Sequence, residues 1–278
     1  MHAPSAALLT LIAWTAAGPA GAVQNLMSAI HSIRAQGCDG RSGVATALRP
    51  DPQLNRAAQA LASGRKLRDA MNDSGYRAVQ SAVLEASGSD AAIIRALAER
   101  GCEDIADPVY RDVGLAEQDD AVWIVLAAPF VPPQRDEAQA VSRRLLELVN
   151  QARAERRRCG WKRFDAAPPL LMSEVLERAA LAHARDMARQ KRLSHVGSDG
   201  STHALRATRA GYVWRTIGEN IAAGQATPEL VVAGWLKSAG HCTNLMDPDF
   251  SEMGVAYVRE PDSTAGIYWV QLLGTPQR

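Results

Sequence analysis

Two histidines and a carboxylate carry the chemistry in this chain: His195 in SHVGSDG, Glu219 in GENIAAG and His241 in SAGHCTN. Together they offer ligands for zinc or another divalent metal, or groups that exchange protons near neutral pH. All three fall in stretches that read as turns or loops, rich in Gly, Ser, Asn and Asp, where a scaffold displays functional side chains. They stand 24 and then 22 residues apart, so only the fold can unite them. The residues alone equally allow three separately satisfied polar groups. Asp199, Asn220, Ser238 and Asn244 flank the three as candidate cleft residues. His183 reads as a packed residue on an inner helix face, His203 as solvated in a polar loop, and Met187 and Trp235 as core.

The elements that must position these groups follow from periodicity. Val141, Leu145, Leu148, Val149 and Ala152 repeat at helical spacing within 137–157. Ser173 reads as the N-cap of a second helix reaching about Lys191, with Leu176, Ala179, Ala180, His183 and Met187 on one face. Thr227-Pro228 opens a third, Thr as N-cap and Pro at its first position, running to about Ser238. Residues 254–259 and 267–272 read as strands, with another around Asn220. The pattern predicts a layered α/β domain. Arg156-Arg157-Arg158 is read as the solvated C-terminus of the first helix, where cations suit the helix dipole.

With 278 residues the chain is long enough for two domains. A hydrophobic fraction of 47% with 22% charged residues excludes a disordered chain. The formal net charge of +1 gives no overall reason to propose nucleic acid or an anionic membrane as partner. Residues 6–17 are almost wholly apolar and lead into Gly18-Pro19-Ala20-Gly21-Ala22, the pattern of a signal peptide cleaved after Ala22. Residues 1–22 are therefore expected to direct the protein to a secreted or periplasmic location. Beyond them no apolar run of membrane-spanning length occurs, so the mature chain is expected to have no span. Four cysteines, Cys38, Cys102, Cys159 and Cys242, fit export, and no CxxC motif points to a zinc knuckle or redox site.

Spacing does not choose among the three possible pairings, but an internal repeat does. GCEDIADPVYRDVGLA from Gly101 aligns with HCTNLMDPDFSEMGVA from His241, matching Cys102 with Cys242, Asp107-Pro108 with Asp247-Pro248 and Gly114 with Gly254. The segment ending at Cys38 aligns with the one ending at Cys159, and Gly75-Tyr76 with Gly211-Tyr212. Equivalent cysteines should make equivalent bonds, which predicts Cys38–Cys102 and Cys159–Cys242. The expected organisation is a first copy over 23–128, a Pro-rich linker over 129–136 (PFVPPQRD runs from Pro129) and a second copy over 137–278. The first copy lacks the polar cluster: Gly101 stands at the position of His241 and Val83 at that of Glu219.

SHVGSDG, GENIAAGQATPELVVAGWLKSAGHCTNLM and the closing FSEMGVAYV and YWVQLLG, over residues 141–273, resemble the bacterial branch of the CAP superfamily, also called the SCP domain. It includes cysteine-rich secretory proteins, venom allergens and plant pathogenesis-related proteins. The resemblance implies a three-layer α-β-α sandwich, here in tandem with a degenerate first copy. It also implies a cleft carrying two His and two Glu in eukaryotic members. His195, Glu219 and His241 match three of those four. Ser238 stands where the second Glu would be, Asp199 is a candidate replacement carboxylate, and Cys242 stands where an arginine commonly follows the His. The function implied is an exported binding or recognition module for a small apolar ligand or an extracytoplasmic partner protein. Its His195 and His241 would hold a divalent metal, and no nucleic acid is involved. The alternative is a metal-assisted hydrolase of peptide, ester or cell-wall material with Glu219 as base and Asn220 and Asn244 as orienting groups.

Overall fold

The computed structural model describes residues 19–38 and 40–277, with side chains from residue 25 onward. Most of the expected signal peptide thus lies outside the described residues. Chain contacts divide the protein into two units, 1–129 and 130–278.

The first unit runs α1 (Pro19–Gln36), β1 (Gly37–Cys38), β2 (Arg41–Ser42), β3 (Arg49–Pro50), α2 (Pro52–Ala62), α3 (Leu67–Ser74), β4 (Ala78–Ser87), α4 (Asp90–Arg100), α5 (Cys102–Ile105), β5 (Asp112–Gln118) and β6 (Ala121–Pro129). Its four-stranded sheet has the order β3-β5-β6-β4. Alternation along β6 sends Val122, Ile124 and Leu126 into a core with α1, α4 and α5, and Val125 and Ala127 into another with α2 and α3. The unit is therefore a three-layer α-β-α sandwich.

The second unit opens with a short 3-10 turn at Arg135–Glu137. It then runs α6 (Ala138–Arg153), β7 (Arg157–Cys159), β8 (Lys162–Phe164), β9 (Leu171–Met172), α7 (Glu174–Gln190), α8 (His203–Arg209), β10 (Trp214–Ala223), α9 (Pro228–Lys237), α10 (Ala239–Met246), β11 (Glu252–Glu260) and β12 (Gly266–Pro276). The sheet order is β9-β11-β12-β10. Along β12, Ile267, Trp269 and Leu273 pack against α6, α9 and α10, while Tyr268, Val270 and Leu272 pack against α7 and α8. The three layers form again.

The same devices hold both units together. Each has a two-stranded hairpin whose first strand carries a cysteine, bonded in one case as Cys38–Cys102 and in the other as Cys159–Cys242. Arg34 is buried at 1% exposure and donates to the carbonyls of Thr46, Ile105, Asp107 and Tyr110. Arg153, at 0% exposure, donates to those of Pro168, Leu245, Asp247 and Phe250. One guanidinium fork thereby stitches the first helix of each unit to the chain that follows the second cysteine. A Cβ at Gly114 would lie 2.1 Å from the backbone of Leu54, and one at Gly254 2.1 Å from that of Glu177. Only glycine lets helix and sheet approach so closely there.

Two sequence expectations change. The first helix of the second unit stops at Arg153 instead of reaching residue 157, and the arginine run continues into β7. It is therefore not a solvated helix terminus: Arg153 turns inward to its four carbonyls, the helix ends there, and the cysteine bonded to α10 draws the next residues into a hairpin. Glu219 lies within β10, the strand expected around Asn220, and His241 lies within α10, so of the three candidates only His195 sits in a loop.

Candidate functional site

The site forms around β10, an edge strand of its sheet. Strand alternation turns Glu219 toward the α7–α8 face and Asn220 toward the face covered by α9 and α10. Glu219 is 5% exposed and both its oxygens are engaged. His195 Nδ1 lies 2.8 Å from Oε1, and Arg206 on α8 donates to Oε2 at 2.6 Å. On the other face Asn220 Nδ2 donates to Gln271 Oε1 at 2.9 Å and to the His241 carbonyl at 3.3 Å. Asn244 Nδ2 donates to the Glu219 carbonyl at 3.1 Å and to Asn220 Oδ1 at 3.0 Å. The two asparagines tie α10 to β10 and so fix His241 relative to Glu219. The His195 and His241 ring centroids are 6.5 Å apart.

The His195 loop is held from beneath. His183 on α7, 1% exposed, bonds the Ser194 carbonyl through Nε2 at 2.8 Å. Arg206 donates to the carbonyls of His195 at 3.0 Å and Ser201 at 2.6 Å. Asp186 accepts from the backbone and hydroxyl of Ser198. Arg206 thus joins the loop to Glu219, and the sequence reading had no role for it. Its spacing from the histidines carries no signal, because α8 reaches β10 only in the folded unit.

The remaining candidates fall as follows. Asp199 is exposed, accepts from the Ser201 backbone and pairs with Arg209. Its oxygens serve the loop's own turn instead of adding a second carboxylate beside Glu219. Ser238 is the half-buried junction between α9 and α10. His203 opens α8 half-buried and is not in a solvated loop, because Thr202 caps the helix at that point. A groove of about 590 Å³, lined among others by Arg178, His183, Asp186 and Arg209, shares Arg206 with this network but includes none of His195, Glu219 or His241.

Burial opposes ionisation of Glu219, yet the His195 hydrogen bond and the charge of Arg206 outweigh it and hold its carboxyl below the usual range. Glu219 is therefore an ionised positioning group, a poor candidate for general base. Because Oε1 faces Nδ1 of His195, that nitrogen is engaged with the carboxylate, and Nε2 is the ring nitrogen that could take a metal. This carboxylate–histidine arrangement is the one that prepares an imidazole for a metal. Among the described residues no group of three or more His, Cys, Asp or Glu is arranged to hold an ion. Two imidazoles sharing one zinc at about 2 Å per Zn–N bond place their centroids roughly 5–6 Å apart, against the 6.5 Å observed. The chemistry of the two imidazoles is compatible with a two-ligand site.

Burial lowers the pKa of His183, with Glu219 opposing and Arg206 reinforcing the shift; burial and then the His195 charge lower that of His241. Both stay neutral in the fold at pH values where the unfolded chain binds protons. Their contribution to stability is present above about pH 6.5 and is lost as pH falls toward their folded values. Glu219 adds a second loss below about pH 4.3, as pH falls through its lowered folded value. Urea midpoints measured from pH 8 to 4 should decline in two stages, and His183→Gln should flatten the upper stage.

Residues 146–273 match the model of CAP, the cysteine-rich secretory protein family. The uncharacterized protein YkwD of Bacillus subtilis (strain 168) is 35% identical over 132 residues, which cover 48% of this chain and 46% of that protein. The chain therefore spans less than half the length of this curated relative. An extracellular protein containing a SCP domain from Bacillus anthracis str. Ames is 20% identical, with a TM-score of 0.42 over 56% of this chain and 52% of that one. A cysteine-rich secretory protein of Staphylococcus aureus, SAV1118, is 13% identical, with a TM-score of 0.39 over 55% and 50%. The segment that matches the CAP family model, residues 146–273, lies within the second unit and holds the whole His195–Glu219–His241 arrangement.

Proposed function

We propose that the second unit is an exported recognition module whose His195–His241 cleft takes a divalent metal, zinc or a similar ion, and binds a small apolar ligand or a partner protein outside the cytoplasm. The observation that carries this reading is the double occupancy of Glu219. With Arg206 on one oxygen and His195 on the other, the carboxylate is committed to orienting an imidazole, and the two partners lower its basicity. His195 Nε2 and one His241 nitrogen would hold the ion, which would supply a Lewis-acidic point for a ligand oxygen. Export is supported by the apolar leader and by two disulfides, which persist in oxidising compartments. Among the described residues no helix is long and apolar enough to cross a membrane.

Two protein ligands are fewer than the three usual at catalytic zinc, so affinity should be modest. It should fade as pH falls below about 6.5, because the ligands must be neutral. Calorimetric titration with zinc should show binding by the native chain and none by His195→Ala/His241→Ala. Equal binding by both, or none by either at millimolar zinc, removes the metal from the proposal.

We infer further that the first unit is a degenerate copy of the second, kept as a scaffold. The register supports this independently of the sequence alignment. Gly254 pairs with Leu272, which pairs with Glu219, while Gly114 pairs with Val125, which pairs with Val83. This parallel register supports reading Val83 as the counterpart of Glu219.

A further inference from the structure

We propose that the β7–β8 hairpin docks the protein onto an anionic lipid bilayer. Residues 156–163 read RRRCGWKR, five cations around one aromatic. Cys159 pairs with Lys162, so Gly160 and Trp161 form the two-residue turn, with Gly160 at φ 60. That positive φ suits glycine and brings Trp161 to the apex. Trp161 is 88% exposed, the most exposed large apolar side chain among the described residues. A solvent-facing indole at the tip of a hairpin is costly to leave in water and suits the headgroup level of a bilayer, apolar ring inward and N–H in the wet layer.

The flanking charge fits that surface. Arg158, Lys162 and Arg163 are exposed beside the turn, and among the described contacts no carboxylate pairs with any of them. Arg156 pairs with Asp165, but both side chains are 87% exposed and the pair is weak. Chain-wide neutrality hides this local excess, which lies within a screening length of any surface the indole touches.

The hairpin is also rigid. Cys159 is bonded to Cys242 on α10, Phe164 packs with that disulfide and Met246, and a Cβ added at Gly160 would lie 2.9 Å from the Ala239 side chain. Little ordering remains to be done on docking. Since His241 adjoins Cys242, docking holds the cleft-bearing helix to the same anchor as the indole. In the first unit Cys38 pairs with Arg41, and the sequence between them is Asp39-Gly40, with an acid and no aromatic. A soluble polyanion would satisfy the cations but not bury the indole, which is why the bilayer is favoured.

The test uses the full chain with vesicles of phosphatidylcholine alone and with a third replaced by phosphatidylglycerol. Binding is read by cosedimentation and by tryptophan emission. Binding should require the anionic lipid, weaken with salt, and shift emission to the blue. Trp161→Ala should abolish the shift and weaken partitioning about tenfold or more. Lys162→Gln and Arg163→Gln should each weaken it about fivefold, with unfolding midpoints unchanged. Equal partitioning to both vesicle types, an unaltered Trp161→Ala, or equal retention on soluble heparin without an emission shift would overturn the proposal.

Discussion

Replacing Arg153 by methionine should unfold the second unit well before the first. The guanidinium is buried at 0% exposure and donates to four carbonyls, at Pro168, Leu245, Asp247 and Phe250. Methionine fills much of the stem volume but leaves those acceptors unpaired. An orphaned buried acceptor costs about 1–3 kcal/mol, and after relaxation the total loss should be about 3–5 kcal/mol. Lysine should recover only part, because a single ammonium cannot reproduce the planar fork. Urea denaturation followed by tryptophan emission checks this, since the second unit holds the buried Trp235 and Trp269. The same change at Arg34 should strike the first unit instead. A shift of less than about 1 kcal/mol at Arg153 would contradict the assigned role, being no more than one ordinary hydrogen bond contributes.

Removing the Cys159–Cys242 bridge by double serine substitution should have an effect of similar size, through the unfolded state. The bond joins residues 83 apart, for which loop-closure entropy predicts about 4–5 kcal/mol. The local consequence is more telling than the total. The bond fastens the start of α10, and with it His241, to the β7–β8 hairpin. Amide exchange should therefore accelerate through 239–246, and zinc affinity should fall with it. Removing Cys38–Cys102, 64 residues apart, should cost about as much in the first unit and leave metal binding unchanged. If both double variants lost zinc equally, the division of labour between the units would be wrong.

The site shows unevenly how much of such a protein can be read in advance. His195, Glu219 and His241 were visible chiefly through the motifs that surround them, SHVGSDG, GENIAAG and SAGHCTN, because their residue types alone also allow three separately satisfied polar groups. A strand around Asn220 was legible, but GENIAAG also reads as turn-like, and only the pairing with β12 settles that Glu219 lies inside the strand. Arg206 was passed over for a related reason. A buried arginine has the same letter as an exposed one, and only the packing of α8 against β10 shows that it neutralises Glu219. Asn220 and Asn244, read as orienting groups in the alternative mechanism, are ties between a strand and a helix that alternation places on one face.

What the sequence by itself determined is the set of devices repeated in both halves: the cysteine pairing, the glycines under the helices, the order of helices and strands, and the absence of His and Glu counterparts in the first half. These are legible because local periodicity and the matching motifs of the two halves encode them. Only the tertiary structure decided which nitrogen of His195 meets the carboxylate, the ionised state of Glu219 and the exposure of Trp161. Each depends on which groups from distant segments share one small, partly dry volume, and hydrogen bonding and desolvation act through space, with no mark in the spacing of residues along the chain.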